Sequence, residues 1–188
     1  MRLNPAKANS PGDLPGVLVL FFCFAFPCLS VGQSLVLKSD EFKFIWPVPS
    51  SWESTQSFTK GQYALKRKGE KLMTLVLLAY PADKMTLSRL LALHAADPQY
   101  LFRGIRTRFP ESSFIGSSVV KIGSHDAIQT QAQYVTKNLD TTITIFMCSH
   151  TTIWRGIAYT IAFECLPEHR AEGLAEMAVA LTAFSFAE

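Results

Sequence analysis

Lys71–Tyr80 reads KLMTLVLLAY, an almost unbroken apolar run of ten residues. A run of that length, too short for an independent helix and rich in branched side chains, fits a strand covered on both faces. Before it, Gln62–Lys68 alternates Tyr63 and Leu65 against Ala64, Lys66 and Lys68, the pattern of a half-exposed strand, and Gly69-Glu70 supplies the turn between the two. Further back, Phe42-Lys43-Phe44-Ile45-Trp46 predicts a first strand that stops at Pro47, and Pro47–Trp52 predicts a turn, because the residue before each proline is pushed out of the helical region.

After the central run the period changes. Thr86 is placed to cap a helix whose inner face carries Leu87, Leu90, Leu91, His94 and Ala95. Pro98 interrupts it, and Asp97-Pro98 predicts the start of a second helical segment with Leu101, Phe102, Ile105 and Phe109 inward. Four strand-like segments follow, Phe114–Ile122, Ala127–Val135, Thr142–Cys148 and Ile157–Cys165. The turns between them, Gly123–Asp126, Lys137–Asp140 and Trp154–Gly156, are too short for parallel crossovers, so the neighbours are antiparallel. Pro167 opens a last helix, with Glu168 and Glu172 at its positive end and Leu174, Met177, Ala178 and Leu181 as its inner stripe. The tail reads Ala183-Phe184-Ser185-Phe186. The expectation is one α+β domain over 42–186, a single antiparallel sheet between helices, with Leu75, Val76, Leu77, Leu78, Ile145, Ile161 and Phe163 buried.

Composition agrees with a folded domain: of 188 residues 48% are hydrophobic and 18% charged, which excludes disorder. A net charge of +3 is too mild to indicate nucleic acid as a partner. Ahead of the domain, Val17–Val31 (VLVLFFCFAFPCLSV) carries no charge, follows Arg2 and Lys7, and ends in Ser30-Val31-Gly32. It is short for a bilayer span and has the length of a secretory apolar segment. The expectation is a signal peptide over 1–32, cleaved after Gly32, a lead-in over 33–41, and export to a periplasm or the exterior; the alternative is an N-terminal membrane anchor. Phe22 before Cys23 and Pro27 before Cys28 do not suit lipidation. Cleavage leaves Cys148 and Cys165, a candidate disulfide in an oxidising compartment. A two-residue Arg155-Gly156 loop sets Cys148 opposite Phe163 and diagonal to Cys165; a three-residue loop puts the two thiols on opposite faces and aligns the apolar faces better, which favours that register.

The order of elements resembles the PsbP/DcrB-like family, whose fold is shared with a small Ran-binding nuclear import factor. The resemblance rests on Phe44-Ile45-Trp46-Pro47 with Ser51-Trp52, on Gly156-Ile157-Ala158-Tyr159-Thr160-Ile161-Ala162-Phe163, and on the tail Phe184-Ser185-Phe186. It implies an α/β/α sandwich, an antiparallel sheet flanked by helices on both faces. It also implies accessory work: assembly, stabilisation or binding at a membrane-linked complex. No photosynthetic metal or photosystem contact carries over.

Candidate chemistry is sparse. Cys148-Ser149-His150 puts a thiol and an imidazole on one strand face, where they serve a nucleophile or, with His125, a metal. Against this stands a small buried cysteine beside a solvent-facing histidine at a strand end. Lys66-Arg67-Lys68 and Arg103, Arg106 and Arg108 are the basic clusters, read as a surface for anionic lipid or an acidic partner, or as solvated faces. Trp46 and Trp52 are candidates to line a small-ligand pocket or to plug the end of the sandwich. No phosphate loop, nucleophile elbow or His-Glu-x-x-His is present, and no motif asks for a cofactor. The leading expectation is an exported, non-enzymatic accessory or binding protein near a membrane. The alternatives are a small-ligand or metal carrier and a hydrolase using Cys148 and His150.

Overall fold

The computed structural model describes residues 35–55, 60–69, 72–138 and 141–188. The expected signal peptide over 1–32 lies outside them, as do Glu70, Lys71, Leu139 and Asp140. The chain runs β1 (Val36–Ser39), β2 (Phe44–Pro47), β3 (Trp52–Ser54), β4 (Gln62–Arg67), β5 (Met73–Pro81), α1 (Leu87–Ala96), α2 (Phe102–Arg108) and β6 (Ser113–Ile122). It continues with β7 (His125–Asn138), β8 (Thr141–Trp154), β9 (Ile157–Cys165), a 3₁₀ turn at Pro167–His169, α3 (Arg170–Ala183) and β10 (Ser185–Phe186).

The fold is α+β and its sheets are antiparallel, but the single sheet of the sequence reading is two. Seven strands run β3-β4-β5-β9-β8-β7-β6, and three short ones, β1-β2-β10, form a second sheet. The lead-in therefore contains a strand, β1, pairing Val36 with Pro47 and Ser39 with Phe44. Pro47 ends β2 and Pro49 follows two residues on, so the chain leaves the small sheet before β3 begins.

Strand alternation sorts the large sheet into two faces. One carries Leu65, Met73, Leu75, Leu77, Phe146, Cys148, Tyr159, Ile161, Phe163 and Cys165, and packs under α3 and the small sheet with Phe44, Trp46, Trp52 and Phe184. The other packs Ala132, Tyr134, Ile145 and Met147 under Phe102 and Ile105 of α2, and Ile128, Ile153 and Ala158 under Leu90 of α1. Helices thus lie on both faces, with the small sheet sharing one side. Of the residues expected to be buried, Leu75, Val76, Leu77, Ile145, Ile161 and Phe163 are, and Leu78 is half-buried.

Local departures have local causes. Thr86 caps α1 by accepting from Arg89 N at 3.2 Å. Asp97 does not open α2: it ends α1, its N–H bonding Leu93 O, and its carboxylate accepts from Gln99 N within a turn. α2 starts only at Phe102. Pro167 opens the 3₁₀ turn, and α3 buries Gly173, Met177 and Ala180 while Ala178 faces out. β8 is twice the predicted length, because Ser149–Ile153 continues the ladder. The β8–β9 loop is the two-residue one: Trp154 pairs with Ile157 and Cys148 with Phe163, against the three-residue register favoured above. Arg155 and Gly156 have φ of 48° and 75°, the two positive values of a type I′ turn, and Arg155 lies over the Trp154 ring at 4.5 Å. That turn's twist matches the strands, and it decides the register over the alignment of apolar faces.

Candidate functional site

On the α3 side of the sheet, β7 presents Gln129 and Gln131 beside Cys148 and His150 of β8, with Gln129 opposite His150 and Gln131 opposite Cys148. A line of hydrogen bonds crosses these residues. Arg170, the first residue of α3, donates to Gln131 Oε1 at 2.8 Å; Gln131 Nε2 donates to Gln129 Oε1 at 3.1 Å; Gln129 Nε2 meets His150 Nε2 at 3.1 Å. The guanidinium has only donors, so it fixes the direction of every bond after it. Gln129 must donate and His150 Nε2 must accept, which leaves the imidazole neutral with its proton on Nδ1. That Nδ1 is buried and has no partner among the described residues. Burial pushes the imidazole down to about 4.

His150 is 5% exposed and lies inside β8, so it is not the solvent-facing strand-end residue of the sequence reading. Cys148 is fully buried, and burial pushes its thiol up to about 12 against a smaller opposing effect of Arg170. Cys165 is raised to about 12 for the same first reason. Both thiols are free. They share a face but stand on a diagonal, since Cys165 is opposite Phe146, and diagonal neighbours lie beyond the reach of a disulfide without backbone movement. His125 is not brought to this group. It lies four residues along β7 from Gln129, and its ring meets Phe186 and Trp154 edge to face, at 4.6 Å and 6.1 Å between centroids. Among the described residues no cluster of three metal-ligating side chains occurs.

The tryptophans are plugs. Trp46 is fully buried and its indole donates to Ala180 O at 2.9 Å; Trp52 is 2% exposed and donates to Glu176 at 3.1 Å. A shallow groove does run beside them along α3, lined by Pro49, Ser51, Glu172, Ala175, Glu176 and Val179. Arg67 pairs with two of these residues, Glu176 at 2.9 Å and Glu172 at 3.5 Å. Alternation splits the first basic cluster accordingly. Lys66 points to the opposite face and pairs with Glu53 at 3.0 Å, and Lys68 donates to Ser50 O at 2.7 Å. On α2, Arg103 and Arg106 are exposed, and Arg103 pairs with Asp97.

A second perturbed group escaped the sequence reading. Glu164 of β9 is buried on the α2 side, and desolvation raises its carboxyl to about 7 against the Tyr134 hydroxyl that donates to it and the nearby charge of Arg108. Tyr134 is raised, first by burial and then by Glu164. Phe109 stacks on the Tyr134 ring at 4.1 Å between centroids. The signal in the sequence was a lone acid in an otherwise apolar strand, IAYTIAFEC.

No protein-family model and no curated protein matches the sequence. Solved structures do share the fold. The solution structure of cyanobacterial PsbP (CyanoP) from Synechocystis sp. PCC 6803 superposes with a TM-score of 0.62 at 14% identity, over 86% of this chain and 98% of that one. The Saccharomyces cerevisiae Ran-binding protein Mog1p gives 0.51 at 9% identity, over 83% and 96%. A Bacteroides thetaiotaomicron VPI-5482 protein gives 0.53 at 14% identity and 84% of this chain, which spans half of that longer protein. The domain has the PsbP/Mog1-like fold.

Proposed function

We propose that this protein is a non-enzymatic binding or accessory protein, exported and working beside a membrane through a protein partner. The observation that carries the reading is the state of Cys148 and His150. A thiol near 12 stays protonated at neutral pH, and the imidazole nitrogen that would take its proton already accepts from Gln129. The two residues with the most chemical capacity are built into the core as structure. A fold held in common with a Ran-binding protein supports partner binding as the task. The exposed Arg103 and Arg106 on α2 are the proposed contact for an acidic partner or anionic headgroups, with Lys66 and Lys68 a secondary surface. The apolar run over 17–31 supports export. Among the described residues no helix is long and apolar enough to cross a membrane.

The test is affinity capture of the tagged protein from a membrane fraction after cross-linking, with N-terminal sequencing of the mature chain. The expected result is a chain starting at Gln33 and one enriched partner. That partner is retained by Cys148→Ala/His150→Ala and lost by Arg103→Gln/Arg106→Gln. A folded Cys148→Ala/His150→Ala variant that loses its cellular function, with partner capture intact, would overturn the reading in favour of chemistry at that pair.

A further inference from the structure

We propose that the outer edge of β6 pairs with the same edge of a second copy of this chain, antiparallel about a two-fold axis at Ser117. β6 is the terminal strand of the seven, and among the described residues no strand pairs its outer side; on the helix-covered face its Ser117 hydroxyl donates to Pro98 O at 2.7 Å and meets His94 Nε2 at 2.8 Å. Its ten residues, SFIGSSVVKI, present an edge on the order of 34 Å long with one charge, Lys121. A long, charge-poor edge is a template for another strand. The opposite terminal strand, β3, has three residues and offers no such edge.

Two features select the occupant and its direction. Ile115 and Val119 are 40% and 52% exposed. Ile115 is the extra residue of a bulge between the pairs Phe114–Ala132 and Gly116–Gln131, so β7 has no residue opposite it. Antiparallel pairing about Ser117 sets each Ile115 against the partner's Val119, and each strand covers the apolar side chains of the other. Charge gives the same answer. Glu111, exposed, precedes the strand, and Lys121, which also pairs with Asp126 of β7 at 2.9 Å, closes it. The antiparallel join brings Glu111 within two residues of the partner's Lys121 at both ends, whereas a parallel strand would set like charges side by side. A join of one strand edge is smaller than a standard interface, so the dimer is weak and reversible.

Sedimentation equilibrium of the purified protein over a wide range of loading concentration tests this. The expected result is a concentration-dependent dimer. Glu111→Lys alone weakens it by roughly tenfold, two attractive pairs becoming repulsive together, and Glu111→Lys/Lys121→Glu/Asp126→Lys, which also reverses the pair within each copy, restores it. Val119→Lys abolishes it, while Val179→Lys, on an equally exposed position of α3, leaves it unchanged. Circular dichroism of each variant confirms an intact fold. A monomer at every loading, a dimer indifferent to Val119→Lys, or a triple reversal that fails to recover in a folded protein would each overturn the proposal.

Discussion

Gly173 of α3 lies against the ring of Phe163 on β9 so closely that a β-carbon at 173 would overlap Cζ and Cε1. This contact sets how near α3 approaches the sheet, and it explains a glycine within the first turn of a helix, where alanine is ordinarily better by up to about 1 kcal/mol. Gly173→Ala is therefore destabilising, by about 1–3 kcal/mol net of the propensity gain, because Phe163 is fully buried and has nowhere to go. Urea unfolding of Gly173→Ala and of Gly173→Ala/Phe163→Leu checks this: the second change recovers part of the loss. A more stable Gly173→Ala protein contradicts the contact.

The two buried titrating groups pull stability in opposite directions. His150 has a folded value near 4, below its ordinary 6.5, so the unfolded chain binds more protons between these values and stability falls as pH falls from about 6.5 to 4. Glu164 has a folded value near 7, above its ordinary 4.5, so the folded chain binds more protons there and stability falls as pH rises from about 4.5 to 7. The slopes offset each other over the shared range. His150→Gln removes one of them, and its unfolding free energy then rises from pH 7 down to about 4.5. Glu164→Gln leaves the other, a loss of about 3 kcal/mol between pH 6.5 and 4. Denaturation midpoints across pH for the three proteins measure this; identical profiles would refute the assignment.

The two plugging tryptophans differ in what they leave behind. Ala180 is among the last four residues of α3, whose carbonyls lack helical partners, and the Trp46 indole satisfies it in the core. Trp46→Phe strands that carbonyl and costs about 1–3 kcal/mol beyond lost packing. Trp52→Phe costs less, since Glu176 keeps Arg67 and Ser51. Thermal melts compare the two, and equal losses argue against the distinction.

Thiol chemistry reports the core directly. Cys148 and Cys165 are buried, free and held near 12, so neither reacts with a thiol reagent at neutral pH until the domain unfolds. Alkylation before and after denaturation, mapped by peptide mass, is expected to mark both residues only in the denatured sample. A 148–165 cross-linked peptide after exposure of the folded protein to an oxidant would show that the strands shift enough to join them.

Much of the architecture was legible because it rests on period. KLMTLVLLAY announced a covered strand, and the later strands followed from alternation and short turns. Three features were not legible. The small sheet joins the short β1–β2 hairpin to β10, two residues from about 140 positions later, and no local pattern records that last pairing. The full length of β8 was hidden in Cys148–Thr152, where both faces carry polar or small residues and alternation vanishes. The line from Arg170 to His150 was invisible for a related reason: two glutamines on β7 look like surface residues until a helix start nearly forty positions later supplies the cation that orders them. Glu164 was present in plain view, but its perturbation comes from burial on the α2 side of the sheet, against the opposing Tyr134 hydroxyl, and sequence spacing does not show that burial.

The small sheet also governs when the domain can close. β2 is made first, yet its partner β10 and the Phe184 ring that covers Trp46 and Phe44 follow it by about 140 residues. A chain still emerging from the ribosome has an open side on which two aromatic rings wait for a lid. Completion is thus a property of the whole domain and not of a growing front. Substituting Phe184 and Phe186 by Ser would leave the domain arrested at that stage, with its aromatic floor bare to any chaperone or neighbouring chain that meets it.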